Sequence, residues 1–207
     1  WFLAGFIILS VAKRVPAAAD LLAGEKAVEA LLLRRVPELL PYLELTLDPR
    51  GGVQTSNADG PAEFFEVGNS TTSGLNVSIT ASTTSSLALG VHFYLKYVAN
   101  RHISWYVSNL RTVEIPPPLP QKTERYVINA TWRYAWNVCT HGYSMAWWGW
   151  ERWELELDFM ALQGVNLPLL FTGQEYIWSR VFKQFGVSDA DLSAFYSSPA
   201  FLPWQRM

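Results

Sequence analysis

Residues 148–175 read WGWERWELELDFMALQGVNLPLLFTGQE, and their pattern decides the fold. Trp148–Leu162 is amphipathic at helical spacing: Trp153, Leu157, Met160 and Ala161 share one face, Glu151 and Arg152 lie elsewhere, and Glu156 falls at the edge. Gly164 stands where a helix closes through a left-handed residue. Val165–Phe171 is short and apolar throughout, as a strand covered on both faces is. Thr172-Gly-Gln-Glu follows at once, Glu175–Phe185 reads as the next helix closed by Gly186, and Ser188 caps a short helix over Asp189–Phe195. Helix, apolar strand, polar turn, helix is the grammar of a parallel α/β unit. In a barrel of such units the chemistry sits where strands end at their C-terminal side, which points at Thr172, Gln174 and Glu175. A glutamate in the first turn of a helix is also favoured by the macrodipole alone, so Glu175 has a purely structural explanation beside the functional one.

Upstream, the same reading gives a small mixed α/β domain. Residues 18–37 form an amphipathic helix with Leu21, Val28, Leu31 and Leu32 on one face, Glu25 at its edge, Leu22 and Leu33 off it, and Pro37 at its end. Leu43–Leu47, Glu63–Val67 and Asn76–Thr80 are strand segments, and Ser85 caps a helix over Leu87–Ala99. Ile103–Val107 and Arg111–Ile115 read as two further strands. Pro116-Pro-Pro then breaks the pattern and opens a linker. The expected organisation is an apolar segment over 1–19, an α/β domain over 20–115, a proline-rich linker over 116–125, and the start of a barrel over 126–207. The fold class is α/β: a small N-terminal mixed domain followed by the first βα portion of an incomplete (β/α)8 TIM barrel, since 207 residues run out long before eight units close.

Composition narrows the function. The formal net charge is −2, with no basic field for nucleic acid. The lone Cys139 excludes an internal disulfide framework and a cysteine-based zinc site. No phosphate loop, paired-histidine metal motif or exposed-serine elbow occurs, so neither metal nor cofactor is expected. Cys139 and His141 are discounted as a nucleophile pair, because no third group orients them. The run WFLAGFIILSVA over 1–12 is shorter than the roughly 20 apolar residues that span a bilayer and reads as a signal-peptide remnant or anchor. Asn69, Asn76 and Asn129 each open a glycosylation sequon, which agrees with a secretory route. Of ten tryptophans, most are expected in the core and a few facing a ligand. Asn137 offers amide donors and an acceptor suited to sugar hydroxyls or an acetamido group.

Asn137-Val-Cys-Thr, Tyr143-Ser, Trp147-Trp148, Trp150-Glu-Arg-Trp-Glu and Met160-Ala-Leu-Gln-Gly-Val-Asn-Leu resemble the α-N-acetylglucosaminidase family, glycoside hydrolase family 89. The likeness continues through Gly173-Gln-Glu175, Trp178, Pro199-Ala-Phe-Leu and Trp204-Gln-Arg-Met207, and the segment from Leu87 to Trp105 is similar to the end of that family's N-terminal domain. The resemblance implies an N-terminal α/β domain, a (β/α)8 barrel and a C-terminal helical domain. It implies a retaining exo-glycosidase that removes terminal α-linked N-acetylglucosamine from glycans or glycosaminoglycans such as heparan sulfate, in the lysosome, a vacuole or outside the cell. Carried over by position, Asn137 and Cys139 match the base of the sugar pocket and Trp204 an aromatic near it. Tyr143 and Glu156 match positions that look structural. The two catalytic glutamates fall beyond Met207, so this segment alone is expected to be inactive and to need the remainder of the polypeptide to complete the barrel; a homo-oligomer is compatible. Leu170-Phe-Thr172 departs from the family's alanine-tryptophan-serine run, Gly149 from an aspartate, and Pro203 from a small residue, which touches pocket shape rather than membership. The alternative expectation is a non-catalytic carbohydrate-binding or interaction module.

Overall fold

The computed structural model describes residues 17–51, 62–72, 76–105, 107–169, 172–197 and 201. The apolar run over 1–12 and Trp204 lie outside them. The first helix, α1 (Ala18–Arg35), buries Val28, Leu31 and Leu32 and leaves Leu22 and Leu33 exposed. It stops at Arg35 rather than Pro37, because Val36, preceding a proline, leaves the helical region at φ −152°. A 3₁₀ turn over Pro37–Tyr42 leads into β1 (Leu43–Leu47). Glu25, from the helix edge, accepts the Leu47 amide at 2.8 Å and ties α1 to that strand.

Strands β2 (Glu63–Asn69) and β3 (Val77–Ala81) follow, then α2 (Thr84–Tyr97). The cap of α2 is Thr83, whose hydroxyl accepts the Ser86 amide at 3.2 Å; Ser85, the expected cap, lies inside the helix. The two segments expected as strands beyond it are not strands. Ile103 makes a single bridge to Ser108, and Leu110–Thr112 is a 3₁₀ turn. Asn109 Oδ1 accepts the His102 amide at 2.6 Å, so the chain doubles back before either segment can extend.

The sheet order is β1-β3-β2-β4, with β4 (Glu124–Ile128) antiparallel to β2. The sequence reading assigns residues from 126 onward to the barrel; the structure instead puts this strand on the edge of the N-terminal sheet. The cause is its alternation: Tyr126 comes opposite Phe65 and stacks on it at 5.1 Å, while Arg125 pairs with Glu66 at 3.0 Å on the other face. The rows Leu47–Ala81–Phe65 and Leu45–Ile79–Val67 give one apolar face, on which α1 and α2 lie. Gly90 permits that contact, since a Cβ there would meet Ile79 Cγ2 at 2.9 Å and Phe65 Cβ at 3.1 Å.

The barrel portion begins with β5 (Tyr134–Ala135), parallel to β6 (Leu167–Pro168), with α3 (Trp150–Leu162) between them. The expected strand over Val165–Phe171 therefore reduces to two paired residues among those described. Helix α4 (Gln174–Gln184) buries nothing, and α5 (Asp189–Phe195) buries Leu192 under a Ser188 cap. Helix α3 bolts this portion to the sheet domain. Asp158, 4% exposed, accepts from Arg34 at 2.6 and 2.9 Å and from Arg35 at 2.6 Å. At the far end His92 of α2 meets the Leu162 carbonyl at 3.1 Å. Arg133, just before β5, reaches Glu63 at 2.8 Å and Ser85 at 3.1 Å.

Candidate functional site

Because β5 and β6 are parallel and adjacent, the loops leaving their C-terminal ends emerge side by side. The first carries Asn137 and Cys139, and the second leads through Thr172 and Gly173 to Gln174 and Glu175 at the start of α4. Trp136 turns the chain out of β5 with φ +74°, a left-handed conformation that a bulky residue adopts only when its surroundings impose it. Those surroundings are aromatic. The Trp136 ring meets Trp153 edge-on at 5.6 Å, and its Nε1 points at Glu156 Oε1 at 3.4 Å.

Asn137 then makes an Asx turn. Its Oδ1 accepts the amides of Cys139 at 3.0 Å and Thr140 at 3.1 Å, and its carbonyl accepts the Thr140 hydroxyl at 2.7 Å. Its acceptor is thus spent on the loop, while its side-chain NH2 makes no hydrogen bond among the described residues and stands on an exposed residue. Cys139 is free and half-buried. His141, 5% exposed, turns into the structure: Nε2 meets the Leu169 carbonyl at 3.0 Å, and Nδ1 lies 3.5 Å from the Thr172 hydroxyl. Sequence offers His141 only as a possible partner for Cys139, because the contacts to Leu169 and Thr172 leave no local pattern.

Gln174 and Glu175 are half-buried in the first turn of α4, where Gly173 supplies φ +86°. Glu156, expected at a helix edge, is 2% exposed; Arg152 pairs with it at 2.9 Å and lays its guanidinium over Trp148 at 4.1 Å. A cavity of about 250 Å³ lies between Trp105, Trp136, Glu156 and Met160 behind the loop. Tryptophan burial departs from expectation. Among the described tryptophans only Trp153 is buried, and Trp132, Trp147 and Trp150 are 69%, 76% and 68% exposed. Asn69 and Asn129 are exposed and Asn76 is half-buried. Among the described residues no cluster of His, Cys, Asp and Glu is arranged to hold a metal ion.

Comparison with known proteins agrees with this architecture in both halves. The description "Alpha-N-acetylglucosaminidase (NAGLU) N-terminal domain" matches residues 26–121, and "Alpha-N-acetylglucosaminidase (NAGLU) tim-barrel domain" matches 133–207. Human alpha-N-acetylglucosaminidase is 37% identical over 186 residues, covering 89% of this chain and 25% of the human protein. A family 89 glycoside hydrolase from Clostridium perfringens, solved in complex with 2-acetamido-1,2-dideoxynojirimycin, superposes with a TM-score of 0.79 at 29% identity, over 92% of this chain and 20% of that one. A variant of the Clostridium perfringens enzyme with two glutamates changed to glutamine, in complex with its substrate GlcNAc-α-1,4-galactose, gives 0.76 at 30% identity, over 89% and 20% of the two chains. The chain thus spans about a quarter of the human relative's length and a fifth of the bacterial enzymes'. With the N-terminal domain and the opening of the barrel both matched in order, this chain belongs to the α-N-acetylglucosaminidase family, glycoside hydrolase family 89.

Proposed function

We propose that this chain is the N-terminal part of a retaining exo-glycosidase that removes terminal α-linked N-acetylglucosamine from glycans or glycosaminoglycans such as heparan sulfate. The observation that carries the reading is the Asn137 turn at the C-terminal end of β5, where the side-chain NH2 of an exposed residue has no hydrogen bond among the described residues, next to the strand whose loop carries Gln174 and Glu175. An amide donor suits the acetamido carbonyl or a ring hydroxyl of the sugar. Cys139 joins Asn137 at the pocket base, Trp204 is assigned to the substrate-binding set only by its match to a family aromatic near the pocket, and Gln174 and Glu175 contribute polar contacts from the loop of the neighbouring strand. The glutamate pair that performs the chemistry lies on later barrel strands, a reading supported by the bacterial relative whose complex with its substrate carries two glutamate-to-glutamine changes. The domain boundaries proposed are an α/β unit from residue 20 that runs through the proline-rich stretch and closes with β4 at Ile128, and a catalytic barrel that opens with β5 at Tyr134. The exposed sequons at Asn69 and Asn129 favour a secretory, lysosomal or vacuolar setting, and no helix among the described residues is long and apolar enough to cross a membrane.

The test compares two proteins on a chromogenic α-N-acetylglucosaminide. The full-length polypeptide is expected to turn over and to release the α-anomer first, as read by NMR. The 207-residue segment is expected to be inactive. Turnover by the segment, lost in Glu175→Gln, would place the chemistry here instead. In the full-length enzyme Asn137→Ala is expected to raise KM, and unchanged kinetics would remove Asn137 from the pocket. Sugar binding by the segment with no turnover in either protein would favour a carbohydrate-binding module.

A further inference from the structure

We propose that His141 is a positioning residue that locks the loop of Asn137 and Cys139 to the loop of Gln174 and Glu175, so that two neighbouring strand ends present one recognition surface. The substrate named in its test rests on the glycosidase reading above. The geometry closes a circuit. Leu169, the first residue beyond β6, donates its amide to the Ala135 carbonyl of β5 at 3.1 Å and gives its own carbonyl to His141 Nε2 at 3.0 Å. Both peptide groups of one residue are thus held, one by the first strand and one by the loop that leaves it.

A carbonyl only accepts, so Nε2 carries the proton and, in the neutral ring, Nδ1 is an acceptor. That acceptor lies 3.5 Å from the Thr172 hydroxyl, at the turn that sets Gln174 and Glu175 on α4. The ring is flanked by two indoles. It lies against Trp153 at 6.2 Å with planes 23° apart and meets Trp136 edge-on at 5.9 Å. Trp136 is the residue held at φ +74° immediately before Asn137, so the clamp that orients His141 also fixes where Asn137 leaves the strand. Leu169 and Thr172, which meet its two ring nitrogens, both belong to the neighbouring loop, on the side of the barrel where chemistry is placed. Small displacements of such groups cost rate or affinity out of proportion to their size.

Two variants in the full-length enzyme separate positioning from packing. His141→Phe keeps a ring against Trp153 and loses both polar contacts. His141→Gln places an amide nitrogen near Nε2 and keeps the donor to Leu169. For His141→Phe we expect KM for a chromogenic α-N-acetylglucosaminide to rise roughly ten-fold and the affinity for 2-acetamido-1,2-dideoxynojirimycin to fall in parallel, with kcat within about two-fold. We expect His141→Gln to recover most of both. Hydrogen exchange is expected to quicken together over 137–140 and 172–175 in His141→Phe. Unchanged exchange in both stretches would overturn the proposal whatever the activity. So would equal losses in Phe and Gln variants that track their Tm. A wild-type enzyme without turnover, but with exchange responding as described, would sink the glycosidase reading and leave the lock standing.

Discussion

The sheet domain and the barrel opening use the same materials to different effect. In the first, strands of five to seven residues pair in unbroken rows, and two helices cover the apolar face until Val77, Ile79, Ala81, Leu87 and Val91 are sealed from solvent. In the second, the strands pair over two residues, and α4 exposes Tyr176, Ile177 and Val181, with Phe185 exposed just after its end. Helix α4 has a clearly apolar side, yet amphipathicity stabilises a helix only when another surface receives that side. The opening of the barrel has a small buried cluster of Met145, Trp153 and Met160, and it is joined to the sheet domain by a seam in which Leu162, Leu155 and Phe159 of α3 pack on the core and Asp158, His92 and Arg133 make polar contacts.

Breaking the seam should show this. Asp158→Ala leaves Arg34 and Arg35 facing each other without their shared carboxylate, and we expect a loss of about 3–5 kcal/mol in urea unfolding, with the barrel portion released before the sheet melts. A loss below about 1 kcal/mol would mean that the seam is not what joins the two. Acid attacks the other end. Burial holds the His92 imidazole down to about 4 from its ordinary 6.5, helped by the stacked His102 ring and by Lys96. The unfolded chain takes up that proton first, so stability should fall as pH drops from about 6.5 to about 4, by about 3 kcal/mol, and level off below. In His92→Gln this part of the pH dependence should vanish, and an unaltered slope would remove His92 from the account. Gly164→Ala should cost about 1–3 kcal/mol, because the position has φ +73° and an added Cβ would lie 2.9 Å from a Leu89 methyl. The smallest effect sharpens the contrast. Phe185→Ser should change the stability of the 207-residue segment by less than about 0.5 kcal/mol, since the ring is 82% exposed, but should cost several-fold more in a full-length protein that covers α4. Equal effects in both would mean that α4 faces solvent throughout.

The sequence was most legible where a pattern and its packing partner lie within one element or its neighbour. The periodicity of α1, with Leu22 and Leu33 off its apolar face, matches what is buried and exposed, and Gly164, Gly186 and Ser188 stand at helix ends as their chemistry requires. Strand β4 was misplaced because nothing local says which sheet an alternating segment joins; Tyr126 is decided by Phe65, 61 positions earlier. The segments around Ile103 and Val113 have β-forming composition, but Asn109 turns the chain between them. Helical spacing puts Glu156 at an edge because its aromatic cover comes from Trp136, twenty residues away just beyond β5. The candidate site was legible as residue types and loop positions. The link through His141 was not, since it is a contact to the carbonyl of Leu169, and no sequence pattern records which carbonyl a histidine will find.

The placement of β4 has a consequence for the order in which the molecule is made. The sheet domain is not finished when its helices and first three strands are complete: Tyr126 must still arrive, after the proline run, to cover the flank of Phe65 and Phe93. Only five residues then separate Ile128 from Tyr134, the first residue of the barrel. A ribosome translating this chain therefore delivers the closing strand of one domain and the founding strand of the next almost together. Arg133, anchored on Glu63 between them, sets the first barrel strand against a surface that has only just been completed.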